Sequence, residues 1–116
     1  MRTDERELED RARAGLAMSL AGYALDVPVG EVRLATRGAT QASQARHVAM
    51  YLCHVAFGMS LARVAAAFRR DRSTVGHACH VMEDRRDDPR FDAWIEALET
   101  SVRAAPRPVI RMAAEG

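Results

Sequence analysis

The sequence has no lysine: all 17 basic residues are arginine, set against 16 acids and four histidines, so the net charge is only +1. A phosphate-binding Gly-x-x-x-x-Gly-Lys loop cannot exist in this chain, which removes the P-loop nucleotide hydrolases. The arginine skew is most simply a GC-rich coding bias and carries no functional argument alone. Aromatic residues make up only 5% of a chain that is 48% hydrophobic, so the apolar content is mainly Ala, Val, Leu and Met. That mixture disfavours a β-sandwich and favours closely packed helices. The two cysteines, Cys53 and Cys79, are too few for a disulfide framework and fall within helical patterns, so reduced packing thiols are expected. No apolar run approaches the roughly 18 residues of a membrane span, and Met1 to Arg13 is too charged for a signal peptide, which predicts a cytoplasmic protein. There is no internal repeat, and the length suits one hydrophobic core.

The charge that is present is unevenly placed. Residues 37–90 carry nine arginines against five acids, whereas residues 1–36 carry five against seven and residues 91–116 three against four. A basic middle between acidic flanks predicts a localised anion-binding face on a nearly neutral protein.

Apolar spacing predicts an all-α bundle of about six helices. Residues 5–25 place Leu8, Ala12, Leu16, Leu20 and Tyr23 on one stripe. Residues 1–15 are so charged that they read as a helical extension from the body, which itself covers 16–104. Asp26, Pro28 and Gly30 punctuate, Val29, Val32 and Leu34 form a short helical turn, and Thr36 to Ser43 reads as a loop. Ala45, Val48, Ala49, Leu52 and Ala56 then mark a long central helix to about Phe57, closed by Gly58. Ser60 caps a short helix bearing Leu61, Val64, Ala65 and Phe68; Asp71 starts another bearing Val75, Ala78, Cys79 and Met82. Asp88 and Pro89 open a last helix with Phe91, Trp94, Ile95, Leu98 and Val102 inward. Pro106 and Pro108 forbid its continuation, so 105–116 reads as a flexible tail.

Ser60 to Met82 is thus a short helix, a tight turn and a longer helix, the geometry of a helix-turn-helix. With Val75, Ala78, Cys79 and Met82 inward, the second helix turns Ser73, Gly76, His77 and His80 outward, with Arg72 and Thr74 beside its start. Short polar side chains and an arginine at a helix start match what a DNA major groove accepts.

Three stretches sharpen this reading: Ala45-Arg46-His47-Val48-Ala49-Met50-Tyr51-Leu52, then Ser60-Leu61, then Phe68 with Arg70-Asp71-Arg72-Ser73-Thr74-Val75-Gly76-His77-Ala78-Cys79. In order and approximate spacing they resemble the C-terminal helix-turn-helix domain, domain IV, of the bacterial replication initiator DnaA, with a Trp-repressor-like helical fold. The resemblance covers roughly residues 16–100. It implies sequence-specific binding of double-stranded DNA at DnaA-box-like sites, with Asp71, Arg72, Ser73, Thr74, Gly76 and His77 at the major groove. It also implies phosphate contacts from Arg46, Ser60, Leu61 and His77. Arg69, Arg70, His47 and His80 join them as basic or imidazole groups expected near phosphate.

The departures from the family are specific. Arg72 and Ser73 stand where the family has His and Thr. The turn before the second helix carries Arg69-Arg70 in place of Gly-Gly and is one residue shorter. The family's arginine-rich minor-groove loop retains only Arg37, and Gly76 replaces a larger residue. Without the ATPase, the resemblance implies a stand-alone regulator of replication initiation or transcription that uses no nucleotide.

Three other readings compete with this one. His47, Cys53, His54, His77, Cys79 and His80 lack the Cys-x-x-Cys or i, i+4 His pairing of a zinc site, so no metal and no other cofactor is expected. No third group orients a Cys–His pair, so no enzyme is expected. The alternative function is a protein-interaction module acting on DnaA or its inactivator without specific DNA binding.

Overall fold

The computed structural model describes residues 3–34 and 40–109, which form six α-helices and, among the described residues, no strand. Helix α1 spans Thr3–Leu25, α2 Val29–Leu34, α3 Gln41–Val55, α4 Leu61–Phe68, α5 Arg72–Arg85 and α6 Pro89–Ala104. The all-α expectation and the helix order hold.

Helix α3 is the spine. Thr40 caps it, its Oγ1 accepting from Ser43 N at 3.2 Å. Ala45, Val48, Ala49 and Leu52 are buried as the periodicity predicts, and Met50, Tyr51 and Cys53 are buried as well, so the helix is enclosed on more than one side. It ends two residues before the predicted Phe57. Gly58, at φ +70°, supplies the left-handed turn that lets Met59 N donate to Cys53 O at 3.1 Å.

Helix α1 differs from its expected stripe. Its buried face is Ala14, Ala17, Met18 and Ala21, while Leu16 is 38% and Tyr23 84% exposed. Small residues let the backbone of α1 approach α3 closely, and this outweighs the larger apolar residues one position away. Gly22 belongs to the same close approach, since a Cβ there would lie 2.6 Å from Val27 O, where the chain folds back.

The charged start of α1 is part of the body. Glu9 and Asp10 are only 4% and 6% exposed. Asp10 accepts from Arg63 Nε at 3.0 Å and Nη2 at 2.7 Å, and Glu9 accepts from Arg107 Nη2 at 2.9 and 3.0 Å. Arg13 completes the cluster at 3.5–3.6 Å from both acids. The charges that read as a solvated extension are bonded to the first turn of α4 and to the segment after α6. Their partners are 53 and 98 residues away in sequence, beyond the reach of local patterning.

Asp88 caps α6 by accepting from Arg90 N at 3.0 Å, and Pro89 occupies its first turn. Ile95, Leu98 and Val102 are buried, with Phe91 and Trp94 half-buried. Residues 105–109 are non-helical, as the prolines require.

Candidate nucleic-acid interface

Helices α4 and α5 build the site. Ser60 accepts from Arg63 N at 3.2 Å, so its hydroxyl caps α4. Val64, Ala65 and Phe68 seat α4 in the core, while Leu61 is half-buried. The helix stops at Arg69, which takes φ 54°, ψ 50° and donates its N–H to Ala65 O and Ala66 O. Arg70 N follows to Ala65 O at 3.0 Å. The shortened turn therefore closes without glycine, at a cost of about 1–2 kcal/mol for a left-handed side-chain-bearing residue.

Asp71 holds the N-cap position of α5 with extended backbone, but its side chain makes no capping hydrogen bond, and the first turn of α5 contains no acid. The carboxylate is exposed. With Val75, Ala78, Cys79 and Met82 buried against the core, Arg72, Ser73, Thr74 and His77 are exposed at the start of α5. Peptide dipoles add partial positive charge at that end of the helix. Gly76 is half-buried, and a Cβ there would meet only Leu61 Cδ1 at 3.8 Å, an ordinary contact. Packing within the chain does not require glycine at 76. His80 lies on the outer side of α5, 3.4 Å from Asp84, and both side chains are well exposed.

His47 sits half-buried on α3. Burial pushes its pKa below the ordinary value, and His77 and then Arg46 push in the same direction, so neutral imidazole is favoured.

Arg46 is a correction. The resemblance placed it on phosphate, yet it is 6% exposed and spends its guanidinium inside the protein. Nη1 donates to Val32 O at 2.8 Å and Arg33 O at 2.7 Å, and Nη2 donates to Phe68 O at 2.8 Å. These carbonyls belong to the last turns of α2 and α4, where helices leave acceptors unsatisfied and favour a cation. The guanidinium also stacks over the Phe68 ring at 5.5 Å. Burial lowers its pKa to about 10, with Arg70 and Arg33 adding repulsion, so it stays protonated at neutral pH. Arg46 positions the helix-turn-helix. Arg37 lies outside the described residues.

Sequence reasoning missed a second positioning cluster. Arg86, at the end of α5, donates from Nε to Asp92 Oδ1 at 2.5 Å and from Nη1 to Glu99 Oε2 at 2.9 Å and Tyr51 Oη at 3.1 Å. Tyr51 in turn donates to Glu83. Burial opposes the Arg86 charge, but these partners outweigh it and leave its pKa above the ordinary value. The cluster ties α5 to α3 and α6. In sequence, Arg85-Arg86-Asp87-Asp88 reads only as a solvated helix end.

The family described as bacterial DnaA protein helix-turn-helix matches residues 24–81, half of the chain, spanning α2 to α5. The chain belongs to this family. A chromosomal replication initiator protein DnaA from Aquifex aeolicus (strain VF5) is 42% identical over 59 residues, covering 49% of this chain and 15% of the initiator. Among solved structures, a DNA replication initiation factor aligns with a TM-score of 0.75 at 28% identity, over 86% of this chain and 31% of that one. A replication initiator DnaA bound to AMPPCP and single-stranded DNA aligns with a TM-score of 0.72 at 27% identity, over 86% and 30%. The chain thus spans less than a third of the length of these relatives, and the shared portion is the helical DnaA-like domain.

Proposed function

We infer that this DnaA-like domain binds double-stranded DNA sequence-specifically, laying the start of α5 in the major groove and regulating replication initiation or transcription at DnaA-box-like sites. One observation carries the reading: Asp71, Arg72, Ser73, Thr74 and His77 are exposed together at the start of a helix whose inner face is locked into the core. Arg72 can donate bidentately to guanine, and Asp71, free of capping, can accept from a cytosine amino group. Thr74 and Ser73 supply short hydroxyls. Exposed Arg69 and half-buried Arg70 and Leu61 are assigned to phosphates flanking that helix. His47, Ser60, Gly76 and His80 complete the proposed footprint, from which Arg46 is withdrawn. A nucleoid-associated location goes with this reading.

The test is binding to a duplex carrying a DnaA-box-like site and to a scrambled duplex, each at two salt concentrations. The expected result is preference for the box, steep salt dependence, and a loss of about 1–3 kcal/mol of that preference in Arg72→Ala. Absence of duplex binding at low salt overturns the reading.

The alternative, a module that binds DnaA or its inactivator, is favoured by one feature. Helix α1 exposes Leu16 and Tyr23, apolar surface outside the helix-turn-helix. Protein capture that survives Arg72→Ala and is lost in Tyr23→Ser would favour it.

A further inference from the structure

Two groups of arginines contrast in their surroundings. Arg13, Arg63, Arg86 and Arg107 are each paired with carboxylates. Arg11, Arg33, Arg46 and Arg69 instead converge on one cleft of about 260 Å³, floored by Ala14, Met18, Ala67 and Phe68. Among the described residues, none of these four forms an ion pair with a carboxylate. Arg33 reaches back over α1, its Nη2 lying 3.5 Å from where a Gly15 Cβ would stand. Arg46 forms the inner wall, and its Nε is buried with no hydrogen-bond partner. Arg70 and Arg33 both repel its charge.

Four arginines line one concavity whose lining includes no carboxylate, and positive charge gathered in this way favours an anion between them. A guanidinium fork matches the oxygens of a phosphate, and a cleft of this size admits one. The position adds the rest of the argument. Arg69 is the C-cap of α4, in the turn that leads through Arg70 and Asp71 to α5, and Arg33 is one residue from the end of α2, so the mouth of the cleft adjoins the proposed DNA-binding face.

We propose that this cleft between α1, α2 and the end of α4 seats a backbone phosphate of the bound duplex, beside the groove that α5 enters. Arg11 and Arg33 hold the phosphate from one side and Arg69 from the other, while buried Arg46 supplies fixed positive charge behind it. This seat rests on the duplex-binding reading above, and it concerns affinity without base selection, since a phosphate carries no sequence information.

The experiment measures duplex affinity against salt for wild type, Arg11→Gln, Arg33→Gln and Arg33→Lys, on the box-bearing and scrambled duplexes. Arg11 and Arg33 are exposed, and the Arg33 carbonyl used by Arg46 is untouched by substitution, so these variants keep the fold. Each released counterion contributes about 0.9 to the salt slope. Each Gln variant should therefore lose about threefold less affinity than wild type between about 50 and about 200 mM salt, equally on both duplexes, and Arg33→Lys should restore the wild-type slope. Neutralising single phosphates as methylphosphonates should identify one position that weakens wild type but not Arg33→Gln. Wild-type box preference with unchanged slopes in both Gln variants overturns the cleft proposal alone. Wild-type protein that binds neither duplex overturns both it and the function it rests on. Weakening confined to the box-bearing duplex also overturns it, because that assigns Arg11 and Arg33 to base reading.

Discussion

Arg46 shows how one side chain can be read correctly as a cation and wrongly as a contact. Its neighbours Ala45, Val48, Ala49 and Leu52 form the buried stripe, so sequence periodicity puts Arg46 at the stripe's edge, where an exposed arginine is ordinary. What periodicity cannot supply is the pair of helix C-termini, α2 and α4, whose carbonyls close around it. Arg46→Met keeps much of the side-chain volume but leaves three carbonyl acceptors without their donor. Stability should fall by about 2–4 kcal/mol, as measured by urea denaturation. A role in phosphate contact alone predicts unchanged stability. The cysteines were legible because a small apolar residue in a helical stripe needs no distant partner. Cys53 and Cys79 are both buried, and burial raises their thiol pKa values to about 12 and about 11.

Among the elements, α3 to α6 were legible in sequence because each carries an apolar stripe at helical spacing, and α4 and α6 also because Ser60 and Asp88 cap them. The face of α1 was not, because its burial is decided by how closely two backbones approach, and alanines resolve that only once α3 is in place. The orientation of α5 depends on a cluster equally invisible in sequence. Glu83, Arg86, Asp92 and Glu99 are drawn from two helices and meet around Tyr51 of a third. Glu99 is buried, so Arg86→Met strands its carboxylate, and stability should fall by about 3 kcal/mol. Adding Glu99→Gln should recover a large part of that loss, because the buried charge is then gone. A double variant no more stable than Arg86→Met alone would show that Arg86 acts through packing and not through charge. Because the cluster lies at the far end of α5 from Arg72, small rotations of the helix there are carried to the side chains exposed at its start.

At the scale of the whole molecule, the near-zero net charge conceals a division of labour. Acids of α1 neutralise Arg63 of α4 and Arg107 after α6, while among the described residues Arg11, Arg33, Arg46 and Arg69 form no ion pair with a carboxylate. The basic middle segment was visible in the sequence; which of its arginines remain available was not, since that depends on pairs formed across the fold. Two readings of the N-terminal segment then differ sharply in outcome. If residues 1–10 were a solvated extension, removing them would change little beyond fraying one helix end. In the structure they supply Glu9 and Asp10, and their loss leaves Arg63 without its bidentate partner in the first turn of α4 and exposes the apolar surface beneath. A chain lacking residues 1–10 should lose more than about 2 kcal/mol of stability in denaturant titration. Asp10→Asn in the intact chain should lose a smaller share, because the amide retains one acceptor for Arg63. Duplex affinity should drop with the truncation even at temperatures where the remaining protein is fully folded, since α4 sets the angle at which α5 is presented. Unchanged stability and unchanged affinity would return residues 1–10 to the role of an extension and leave α3 and α5 as the sole determinants of how the helix-turn-helix is held.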